Sequence, residues 1–543
     1  MCGIFGILLL NKYNIYDLII NGLLQLQNRG YDSSGLCVLK DGKFNIIKSV
    51  LLPLQADKDD TLTIGMGHNR WATHGGNTHE NAHPHVSNNR AWSIVHNGII
   101  ENYNELKLFL IEKGYTFYSE TDTEVICNLL QYNYSGNVYN TIRKTIRLLK
   151  GTYAFVIMTL YEENLYCVKY QSPLLVGYGG DKYIITSEKS GFCHNVNYII
   201  LKDNDICIVN ENSISTDYEY NEYEHVVKTE SNNRYPHWTL KEIHEQPSAV
   251  LNIKKKKIDL DVDNIIILGC GTSYHAGLYG MRFFKPAYTV MVFDGAEFTP
   301  DDIPKGRTAF IFISQSGETI DLYQCLKITN GPTIGIINVE DSLIAREVDH
   351  VIYSCAGKEV GVASMKTFTN QVVCLALLAG LDVDLKQLSR DIQATIDISI
   401  PICKSIDYKD HMFLIGKGAD EVIAKEGALK LKEISYIYAE GFSSSSLKHG
   451  PFALLDENMP VVLIDLQGSN LMNTYHEVQS RNSPIFYITN RENEKANIII
   501  PHNKMFASLL GVIPLQLLAY YISIRKGINP DKPKNLAKVV TVL

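Results

Sequence analysis

The sequence predicts a multidomain α/β protein, and three observations support this class. The chain has 543 residues, which is long enough for about three to four domains. Continuous apolar runs at residues 264–268 and 309–313 have the pattern of strands buried on both faces of a sheet. Each run leads into a Gly, Ser or Thr turn, and residues 412–418 repeat the first of these arrangements. The C-terminal half therefore has an α/β pattern with an internal repeat.

Two of these turns are candidate phosphate sites. Gly269–Ser273 and Ser314–Thr319 each follow a predicted strand, and the first precedes a predicted helix. Backbone N–H groups and the helix dipole at such a turn face an anion, and the hydroxyl groups add donors. The sequence contains neither a Gly-x-x-x-x-Gly-Lys motif nor a Gly-x-Gly-x-x-Gly fingerprint, so a nucleotide is not indicated.

The N-terminal half begins with a candidate nucleophile, Cys2. Removing Met1 would leave a cysteine with a free α-amino group, so that a thiol and its own base lie on one residue. That amine has an ordinary pKa near ~8 and can take the thiol proton directly or through one water. An ordinary second-position cysteine is the alternative, and the motifs that follow argue against it.

Four polar motifs lie where β-like apolar runs meet turn residues. Chemistry on an amide carbonyl needs an oxyanion donor, which Asn97 and the Gly98 amide can supply. Arg70 has the planar fork that binds the carboxylate of a free amino acid, and Asp122 can bind its amino group. Taken singly, an Asn-Gly pair is typical of a hairpin turn and a lone Arg of a solvated surface. The motifs are His68–Gly75, Asn81–His85, His96–Asn102 and Ser119–Glu124.

Together with Cys2, these motifs resemble the class II glutamine amidotransferase domain, an N-terminal-nucleophile hydrolase. The resemblance covers about residues 2–225 and implies a four-layer αββα glutaminase domain. It also implies that glutamine is hydrolysed to glutamate and ammonia through a thioester on Cys2. Residues 29–35 and 70–75 are most similar to the aminosugar-forming branch, because the purine-forming branch usually has Gln or Pro at Tyr31.

A predicted helix in the second half places Glu426, Lys430 and Glu433 at i, i+4 and i+7, on one face. A solvated, salt-bridged stripe is the alternative interpretation for an isolated helix. Downstream, His449 lies in a Gly/Pro-bounded loop and Lys538 lies in the C-terminal tail. Aldose–ketose isomerisation needs a base that moves a proton between C1 and C2 and an acid–base that opens the ring, and amination of a ketone is helped by an imine-forming lysine. These residue types supply that chemistry.

Residues 269–273, 314–319 and 359–366 resemble the sugar-isomerase domain. Two such domains in tandem, each a doubly wound parallel sheet, would fill about residues 250–530. The expected fold is therefore an αββα glutaminase domain followed by two doubly wound sugar-isomerase domains.

Residues 426–435 and 535–542 closely resemble the glutamine–fructose-6-phosphate aminotransferase family, and with the N-terminal half this resemblance spans almost the whole chain. It implies conversion of fructose 6-phosphate and glutamine to glucosamine 6-phosphate and glutamate, the first step of hexosamine synthesis. It implies no cofactor and no metal, and a homodimer or higher homo-oligomer. Ammonia would pass through an internal channel gated by Trp71, and His449 would reach into the neighbouring subunit.

The resemblance assigns roles residue by residue. The catalytic roles fall on Cys2, Asn97, Gly98, Glu433, His449, Lys538 and Lys430. Glutamine binding falls on Arg70, Trp71, Thr73, His74, His83 and Asp122. Sugar-phosphate binding falls on Thr272, Ser273, Ser314, Gln315, Ser316, Thr319, Val362, Ser364 and Ala537.

Some positions depart from the family pattern. Ser445-Ser446 stands where the family usually has Gly-Glu, so a carboxylate is missing from the sugar-site loop. Met365 replaces a usual Thr, Val539 a usual Ser and Leu543 a usual terminal Glu. The chain is also shorter than typical members. These differences put the rate and regulation in doubt rather than the chemistry.

Composition limits the partners. The net charge of −8 gives no electrostatic reason to expect a nucleic acid or an anionic membrane. Eleven cysteines are spread singly, with neither a Cys-x-x-Cys pair nor zinc spacing, which suits a reducing compartment. The apolar run 4–10 lacks a basic flank, and the run 372–381 is too short to span a bilayer. We expect a cytoplasmic protein.

The predicted domain boundaries follow from these observations. A linker is expected to run into a short helix that stops before Pro247. The segments are a glutaminase domain at 1–225, a linker at 226–249, sugar-isomerase domains at 250–395 and 396–528, and a C-terminal tail at 529–543.

Two other functions compete with the aminosugar synthase. A phosphoribosyl-type class II amidotransferase would need a pyrophosphate loop rather than two sugar-isomerase domains, and residues 314–319 argue against it. A non-catalytic sugar-phosphate sensor would have no use for Cys2, Glu433 or Lys538, and all three are present.

Overall fold

A computed structural model describes residues 2–11, 13–50, 54, 56, 59, 61–71, 75–215, 218–224, 234–285, 287–469 and 471–538. The chain divides into two compact units, one within residues 1–229 and the other comprising residues 230–538.

The first unit contains two antiparallel sheets and four α-helices among its described residues. The strands are β1 (Gly3–Leu9), β2 (Ser33–Lys40), β3 (Lys43–Ser49), β4 (Ile64–Arg70), β5 (His85–Val86), β6 (Trp92–Ile100), β7 (Gly151–Thr159), β8 (Leu165–Tyr170), β9 (Leu175–Gly179), β10 (Lys182–Thr186), β11 (Val196–Ile200), β12 (Ile206–Val209) and β13 (Asn221–Tyr223). The helices are α1 (Ile15–Gln25), α2 (Tyr103–Glu112), α3 (Thr123–Asn133) and α4 (Val138–Ile146).

The strand order is β13-β11-β9-β10-β1-β4-β2-β3 in one sheet and β12-β8-β7-β6-β5 in the other. Alternation along the central strands produces the layers, because successive side chains of a strand point to opposite faces. In β1, Phe5 and Ile7 pack in the cluster with α1, whereas Ile4 and Leu8 pack between the sheets. In β7, the residues facing the first sheet alternate with residues that pack with α2, α3 and α4. The predicted αββα fold is therefore confirmed.

Strand pairing in the first unit also positions the predicted nucleophile. Gly3 of β1 pairs with Asn69 of β4, so Cys2 comes beside the end of β4 at Arg70. The second sheet places Asn97 and Gly98 of β6 opposite β7. These registers bring residues that are almost 100 positions apart in sequence to one end of the two sheets.

The second unit contains two parallel sheets and ten α-helices among its described residues. The strands are β14 (Asn264–Gly269), β15 (Thr289–Asp294), β16 (Thr308–Ser314), β17 (Thr333–Ile337), β18 (His350–Tyr353), β19 (His411–Gly416), β20 (Tyr438–Ser443), β21 (Val461–Asp465), β22 (Ile485–Thr489) and β23 (Ile498–Ile499). The helices are α5 (Trp238–Leu251), α6 (Thr272–Phe284), α7 (Ile320–Ile328), α8 (Leu343–Glu347), α9 (Lys366–Leu378), α10 (Leu385–Ser405), α11 (Ala419–Ser435), α12 (Met472–Gln479), α13 (Ala507–Leu510) and α14 (Val512–Arg525).

The internal repeat is confirmed by sheet topology. The orders β15-β14-β16-β17-β18 and β20-β19-β21-β22-β23 are the same 2-1-3-4-5 arrangement, with all strands parallel. The glycine that precedes the first helix has the same backbone in both copies, with φ 55° at Gly271 and 62° at Gly418. In this topology the chain reverses its winding between the first and third strands, and ligands bind outside the carboxyl ends of those strands.

The two sheets of the second unit share one apolar core. Ile265 and Ile267 of β14 lie in the same buried cluster as Leu414 of β19 and Val462 of β21, together with residues of α5, α6, α9, α10, α11 and α14. The opposite face of each sheet has a cluster of its own, with Ile266 in one. The two repeats therefore form a single packed body.

The prediction that a helix stops before Pro247 is wrong. Helix α5 continues through Pro247 to Leu251 and packs into the shared core through Ile243 and Val250. Proline has no N–H, so the carbonyl of Ile243 loses its usual helical donor. The side-chain amide of Gln246 donates to that carbonyl instead, at 3.2 Å. The local loss is thereby compensated, and burial of the apolar face keeps the helix intact.

One helical stretch among the described residues, Ala507–Arg525, is long and apolar enough to cross a membrane by length and composition. Its apolar window is 89% buried inside the protein, as expected for a core helix.

The division into units predicts how the chain can be cut. Separate expression of residues 1–232 and 233–543 should give two folded proteins, because the division between units lies near residue 230. Cooperative thermal unfolding of each piece, followed by circular dichroism, would measure this. As a control, a cut near residue 407 separates the two repeats and exposes their shared core, so those pieces should aggregate. The division into two units would be contradicted if the cut near residue 407 gave folded pieces, or if the cut near residue 232 gave none.

Candidate active sites

In the first unit, the Cys2 thiol lies against the backbone of Trp71. Its Sγ accepts the Trp71 N–H at 3.3 Å and lies 3.5 Å from the Trp71 carbonyl oxygen. Burial raises the pKa of the thiol, while the Trp71 N–H and the guanidinium groups of Arg70 and Arg29 oppose that rise. A nearby base is therefore needed to form the thiolate at neutral pH.

One predicted oxyanion donor, the Asn97 amide, contacts Cys2, and the other, Gly98, follows it in β6. Asn97 is buried, and its Nδ2 donates to the Cys2 carbonyl oxygen at 2.9 Å. Arg29 Nε donates to the same oxygen at 3.1 Å. Gly98 has φ +126°, and an added Cβ would lie 2.1 Å from the Thr152 carbonyl oxygen. Only glycine fits there, so the backbone N–H at this position keeps a fixed direction.

The predicted ligands for the amino-acid end are held rigidly. Arg70 is 3% exposed, and its guanidinium donates to the carbonyls of Gly75 and Gly76 at 3.1 and 3.0 Å. Burial lowers the pKa of Arg70, and neighbouring Cys2 and carboxylates oppose this. Asp122, just before α3, accepts the Ile100 N–H at 2.8 Å. The carboxylate is thus tied to the strand that carries Asn97 and Gly98.

Four buried histidines pack beside these residues. His83, a predicted glutamine ligand, stacks on His68 with ring centroids 4.1 Å apart. Its ring nitrogens face the His96 N–H at 3.3 Å and the Thr123 hydroxyl at 3.5 Å. His85 lies edge-on to His83. Burial is the main cause that lowers the pKa of His83 and His85 well below the ordinary value. The predicted ligands Thr73 and His74 lie outside the described residues.

In the second unit, the turn after β16 is built around its own hydroxyl groups. Ser314 accepts the Gly317 N–H at 2.9 Å and lies 3.2 Å from the Thr319 hydroxyl. Ser316 accepts the Glu318 N–H at 3.2 Å. At Gly317, with φ +66°, an added Cβ would lie 1.9 Å from the Ser342 hydroxyl. The turn is therefore preformed, and Gln315 lies within it, half-buried.

The turn after β14 lies beside it, because β14 and β16 are neighbours. Ser273 is buried and hydrogen-bonded to the Gln371 side-chain amide, at 3.0 Å from Nε2. Thr272 begins α6, and its hydroxyl donates to Glu426 at 3.1 Å and accepts from Lys430 at 2.9 Å. The serine and threonine of this turn are therefore held by other helices.

Lys430 is fully buried, and its ammonium joins two carboxylates of α11. It lies 3.3 Å from Glu426 and 2.6 Å from Glu433. Glu426 also accepts from His275 of α6, at 2.7 Å. Burial alone would lower the pKa of Lys430, but the two carboxylates outweigh it and raise the pKa. Burial would raise the pKa of Glu426, but Lys430 and His275 lower it. The predicted stripe is therefore a buried network, and the alternative of a solvated surface is excluded for Lys430 and Glu426.

The Lys538 side chain is 1% exposed, and its ammonium lies 2.6 Å from the fully buried Glu359. It also lies 3.4 Å from the Ser364 hydroxyl. Burial would raise the pKa of Glu359, but the ammonium of Lys538 lowers it to about 2. Val362 and Ala537 are half-buried next to these residues in sequence. The structure therefore brings the tail and the loop 359–366 together.

Helix α5 supports this second cluster from behind. Glu242 accepts the Gly361 N–H at 3.1 Å, and also the Val360 N–H. At the start of the helix, Asp531 of the tail accepts the Thr239 N–H at 2.7 Å and the Trp238 N–H at 2.8 Å. The segment predicted as a linker therefore holds both the loop and the tail.

His449 ends the 3-10 turn Ser446–His449 and is exposed. No hydrogen bond or ion pair within the described part of the chain joins it to Glu433. Its neighbour Lys448 pairs with Glu477 at 2.5 Å. Ser445 and Ser446 are exposed, and Met365 is buried beneath the loop, where its N–H donates to Glu359. Val539 and Leu543 lie outside the described residues.

Sequence reasoning missed several residues of these clusters. Glu359 lay inside a quoted motif but was assigned no role, and Glu426 was noted only as part of a helical stripe. Glu242 and His275 gave no local signal, because each acts through a partner at least 118 positions away. His68 opens the motif His68–Gly75, but its partner Asn97 lies 29 positions away and its role does not follow from the motif. Only the folded chain shows which buried charge each one faces.

Comparison with known proteins shows which domain families the two halves of the chain match. Residues 68–194 match the glutamine amidotransferase domain, and residues 260–381 and 405–523 each match the SIS domain. A "probable glutamine–fructose-6-phosphate aminotransferase [isomerizing]" of Acanthamoeba polyphaga mimivirus is 42% identical, over 100% of both chains. The enzyme of that name from Aquifex aeolicus is 36% identical, also over 100% of both chains.

A solved structure, the "C-terminal domain of glucosamine-fructose-6-phosphate aminotransferase from Francisella tularensis", is 32% identical with a TM-score of 0.49, covering 56% of this chain and 100% of that one. The full-length relatives decide the assignment. The chain belongs to the glutamine–fructose-6-phosphate aminotransferase (isomerizing) family.

The buried carboxyl of Glu242 predicts a pH-dependent stability. Burial, and then the nearby Glu359, raise the pKa of Glu242 to about 8 in the folded protein. Because the pKa of Glu242 is higher in the folded protein than in the unfolded chain, protonated Glu242 contributes to folding stability. This contribution is fully present below the unfolded pKa of about 4.5 and is lost as the pH rises through the folded pKa of about 8. Glu242→Gln should therefore gain about 1–4 kcal/mol relative to the parent between pH 5 and pH 8.5. Thermal unfolding at both pH values would measure it, and an equal difference at both would contradict it.

Proposed function

We propose that the protein converts fructose 6-phosphate and glutamine to glucosamine 6-phosphate and glutamate. The observation that carries this proposal is the buried Lys538, whose ammonium faces Glu359 and Ser364 of the loop predicted to bind the sugar. A lysine held in this position suits covalent chemistry at a ketone, which a sugar-phosphate sensor does not need. The full-length relatives with that activity in their names support the same proposal.

In the glutaminase half, the Cys2 thiol would attack the side-chain amide carbon of glutamine once removal of Met1 has freed the α-amino group. That amine takes the thiol proton and returns it to the leaving ammonia. Asn97 and the Gly98 N–H stabilise the oxyanion that forms, because both donors are already fixed before glutamine arrives. Water then hydrolyses the thioester, which releases glutamate and restores the thiol.

Glutamine would be held by its two charged groups. Arg70 binds its α-carboxylate and Asp122 its α-ammonium, since these residues lie at the same end of the sheets as Cys2. Trp71, Thr73, His74 and His83 complete the proposed pocket, with His83 acting from the layer behind.

In the sugar half, the phosphate would lie between the turns that follow β14 and β16. Its donors are the hydroxyl and backbone groups there, which form the crevice where strand order reverses. Val362, Ser364 and Ala537 border the sugar from the loop and the tail. The proposed phosphate ligands are Thr272, Ser273, Ser314, Gln315, Ser316 and Thr319.

The chemistry on the sugar needs three groups. Lys538 would add to the C2 carbonyl and expel water to form an imine, and ammonia would then replace the lysine at C2. Glu433 would move a proton from C1 to C2, which completes the isomerisation to the aminoaldose. Lys430 lies 2.6 Å from that carboxylate and fixes its position. His449 would open the sugar ring.

The released ammonia would travel inside the protein, with Trp71 as the gate, so that water does not trap it. We also propose a homodimer or higher homo-oligomer, because His449 is exposed within one chain and a neighbouring subunit would bring it to a sugar site. The eleven cysteines all lie in the described residues and none forms a disulfide there, which fits a reducing compartment such as the cytoplasm.

The proposal is tested by mixing the protein with glutamine and fructose 6-phosphate and measuring glucosamine 6-phosphate. Cys2→Ala should abolish glutamate release, because the thiol is the only proposed nucleophile in that half. The same variant should still isomerise fructose 6-phosphate to glucose 6-phosphate, and a high concentration of ammonium should partly restore synthesis. Glutamate release at the parent rate would remove Cys2 from its role.

The imine is tested separately. Lys538→Arg keeps the charge beside Glu359 but cannot form an imine, so synthesis should fall by at least about 10²-fold while glutamine hydrolysis continues. Borohydride trapping with fructose 6-phosphate should add one sugar mass to the parent and none to the variant, read by mass spectrometry. If the sugar is trapped on Lys430 or Lys448 instead, the role belongs there. If Lys538→Arg keeps full activity, Lys538 forms no imine and serves only as a positive charge that pairs with the sugar phosphate.

A further inference from the structure

We propose that His68 is a positioning residue for the oxyanion donor of the glutaminase site. Its imidazole fixes which end of the Asn97 amide faces Cys2, and it neither donates nor accepts a proton during the reaction. This inference rests on the proposed glutamine hydrolysis at Cys2.

Hydrogen-bond geometry fixes the state of His68. Its Nε2 lies 3.0 Å from the His96 carbonyl oxygen and 3.1 Å from Asn97 Oδ1. A backbone carbonyl can only accept, so Nε2 must carry the hydrogen. A donor at that position requires that Asn97 present its oxygen rather than its amino group. The orientation of this amide is therefore fixed by the His96 carbonyl, which can only accept a hydrogen bond.

The other end of the Asn97 amide leads to the same conclusion. Its Nδ2 donates to the Cys2 carbonyl oxygen at 2.9 Å, and that oxygen is again an obligatory acceptor. An Asn amide carries two N–H donors, so the second one remains for a substrate oxyanion beside the thiol. If the amide flipped, an oxygen would face the developing negative charge, and the site would repel the transition state rather than stabilise it.

His68 is suited to hold this orientation over a wide pH range. Burial, opposed by its two hydrogen bonds, lowers the pKa of the His68 imidazole to about 3. Its Nδ1 is buried and has no hydrogen-bond partner among the described residues. The ring also stacks on His83, with the two planes 12° apart. A neutral ring with a fixed tautomer cannot reverse its donor when the pH changes near neutrality.

A second layer connects His68 to the proposed glutamine ligand Asp122. The Nδ1 of His83 accepts the His96 N–H at 3.3 Å, and the Thr123 hydroxyl lies 2.9 Å from His96 Nδ1. Thr123 adjoins Asp122 and lies 3.3 Å from its carboxylate. The histidine layer therefore joins the oxyanion donor to the proposed amino-group ligand through ring contacts and hydrogen bonds.

The test compares variants that keep or remove the donor at the Nε2 position. His68→Gln places an amide N–H at a similar reach, whereas His68→Asn is too short and His68→Met has no donor. With glutamine as substrate, kcat should fall at least about tenfold in the Asn and Met variants, with KM within about threefold of the parent. The Gln variant should stay within about threefold in kcat. Two donor-deficient variants are used so that a folding defect in one does not decide the result.

A double-mutant cycle separates positioning from general destabilisation. Asn97→Ala removes the amide, so His68→Asn or His68→Met should lower kcat no further in that background. Alkylation of Cys2 by iodoacetamide, read by mass spectrometry, should proceed at the parent rate in every variant, because it needs no oxyanion donor. An equal loss in His68→Gln, or an undiminished effect of His68→Asn in the Asn97→Ala background, would overturn the inference.

Failure of the proposed function and failure of the role of His68 give different experimental results. If the parent protein does not hydrolyse glutamine, or if Cys2→Ala hydrolyses it normally, the proposed function fails. If the parent depends on Cys2 while all His68 variants retain full kcat, only the role of His68 fails.

Discussion

One buried ammonium organises the second unit. Lys430 has no exposed side-chain surface, so its charge persists only because the carboxylates of Glu426 and Glu433 lie within ion-pair distance. Removing one partner from such a group costs several kcal/mol, because a buried charge is then left uncompensated. Thr272 and His275, from the other repeat, complete the shell around Glu426. Two side chains of α6 are thereby joined to Glu426 of α11. The constraint that stabilises the unit is also the one that positions Glu433.

Helix α5 also serves both the packing of the second unit and the positioning of its site. A proline in its middle would weaken it, yet the Gln246 side chain replaces the missing donor and the apolar face remains buried. The helix then uses Glu242 to hold the loop that ends at Ser364 and uses its N-terminus to hold Asp531 of the tail. Lys538 has no secondary structure of its own to fix it, and its place depends on these contacts. A segment that looks like a connector is therefore part of the site.

The sequence predicted the elements that have a clear local pattern, such as an apolar run followed by a turn of small residues. The strands β14 and β16 were expected at 264–268 and 309–313 and are found at Asn264–Gly269 and Thr308–Ser314, since a continuous apolar run followed by a small-residue turn has few other solutions. The continuation of α5 past Pro247 was not predictable, because it depends on a side-chain bond and on burial against distant helices. The roles of Glu242 and His68 were hidden for a related reason. Each is defined by a partner that is far away in sequence, and neither residue type is unusual in its local context.

The hydrogen bonds from the start of helix α5 to Asp531 have a consequence for the chain path. Trp238 and Thr239 lie near the start of the described residues of the second unit, and Asp531 lies near their end, so the two segments meet at the start of α5. The chain therefore enters and leaves this unit at neighbouring points on its surface. Another domain can be attached at that corner by a single peptide connection without opening the apolar core, as is general for domains whose termini lie close together. The geometry of one capped helix end thus makes this unit a self-contained module for gene fusion.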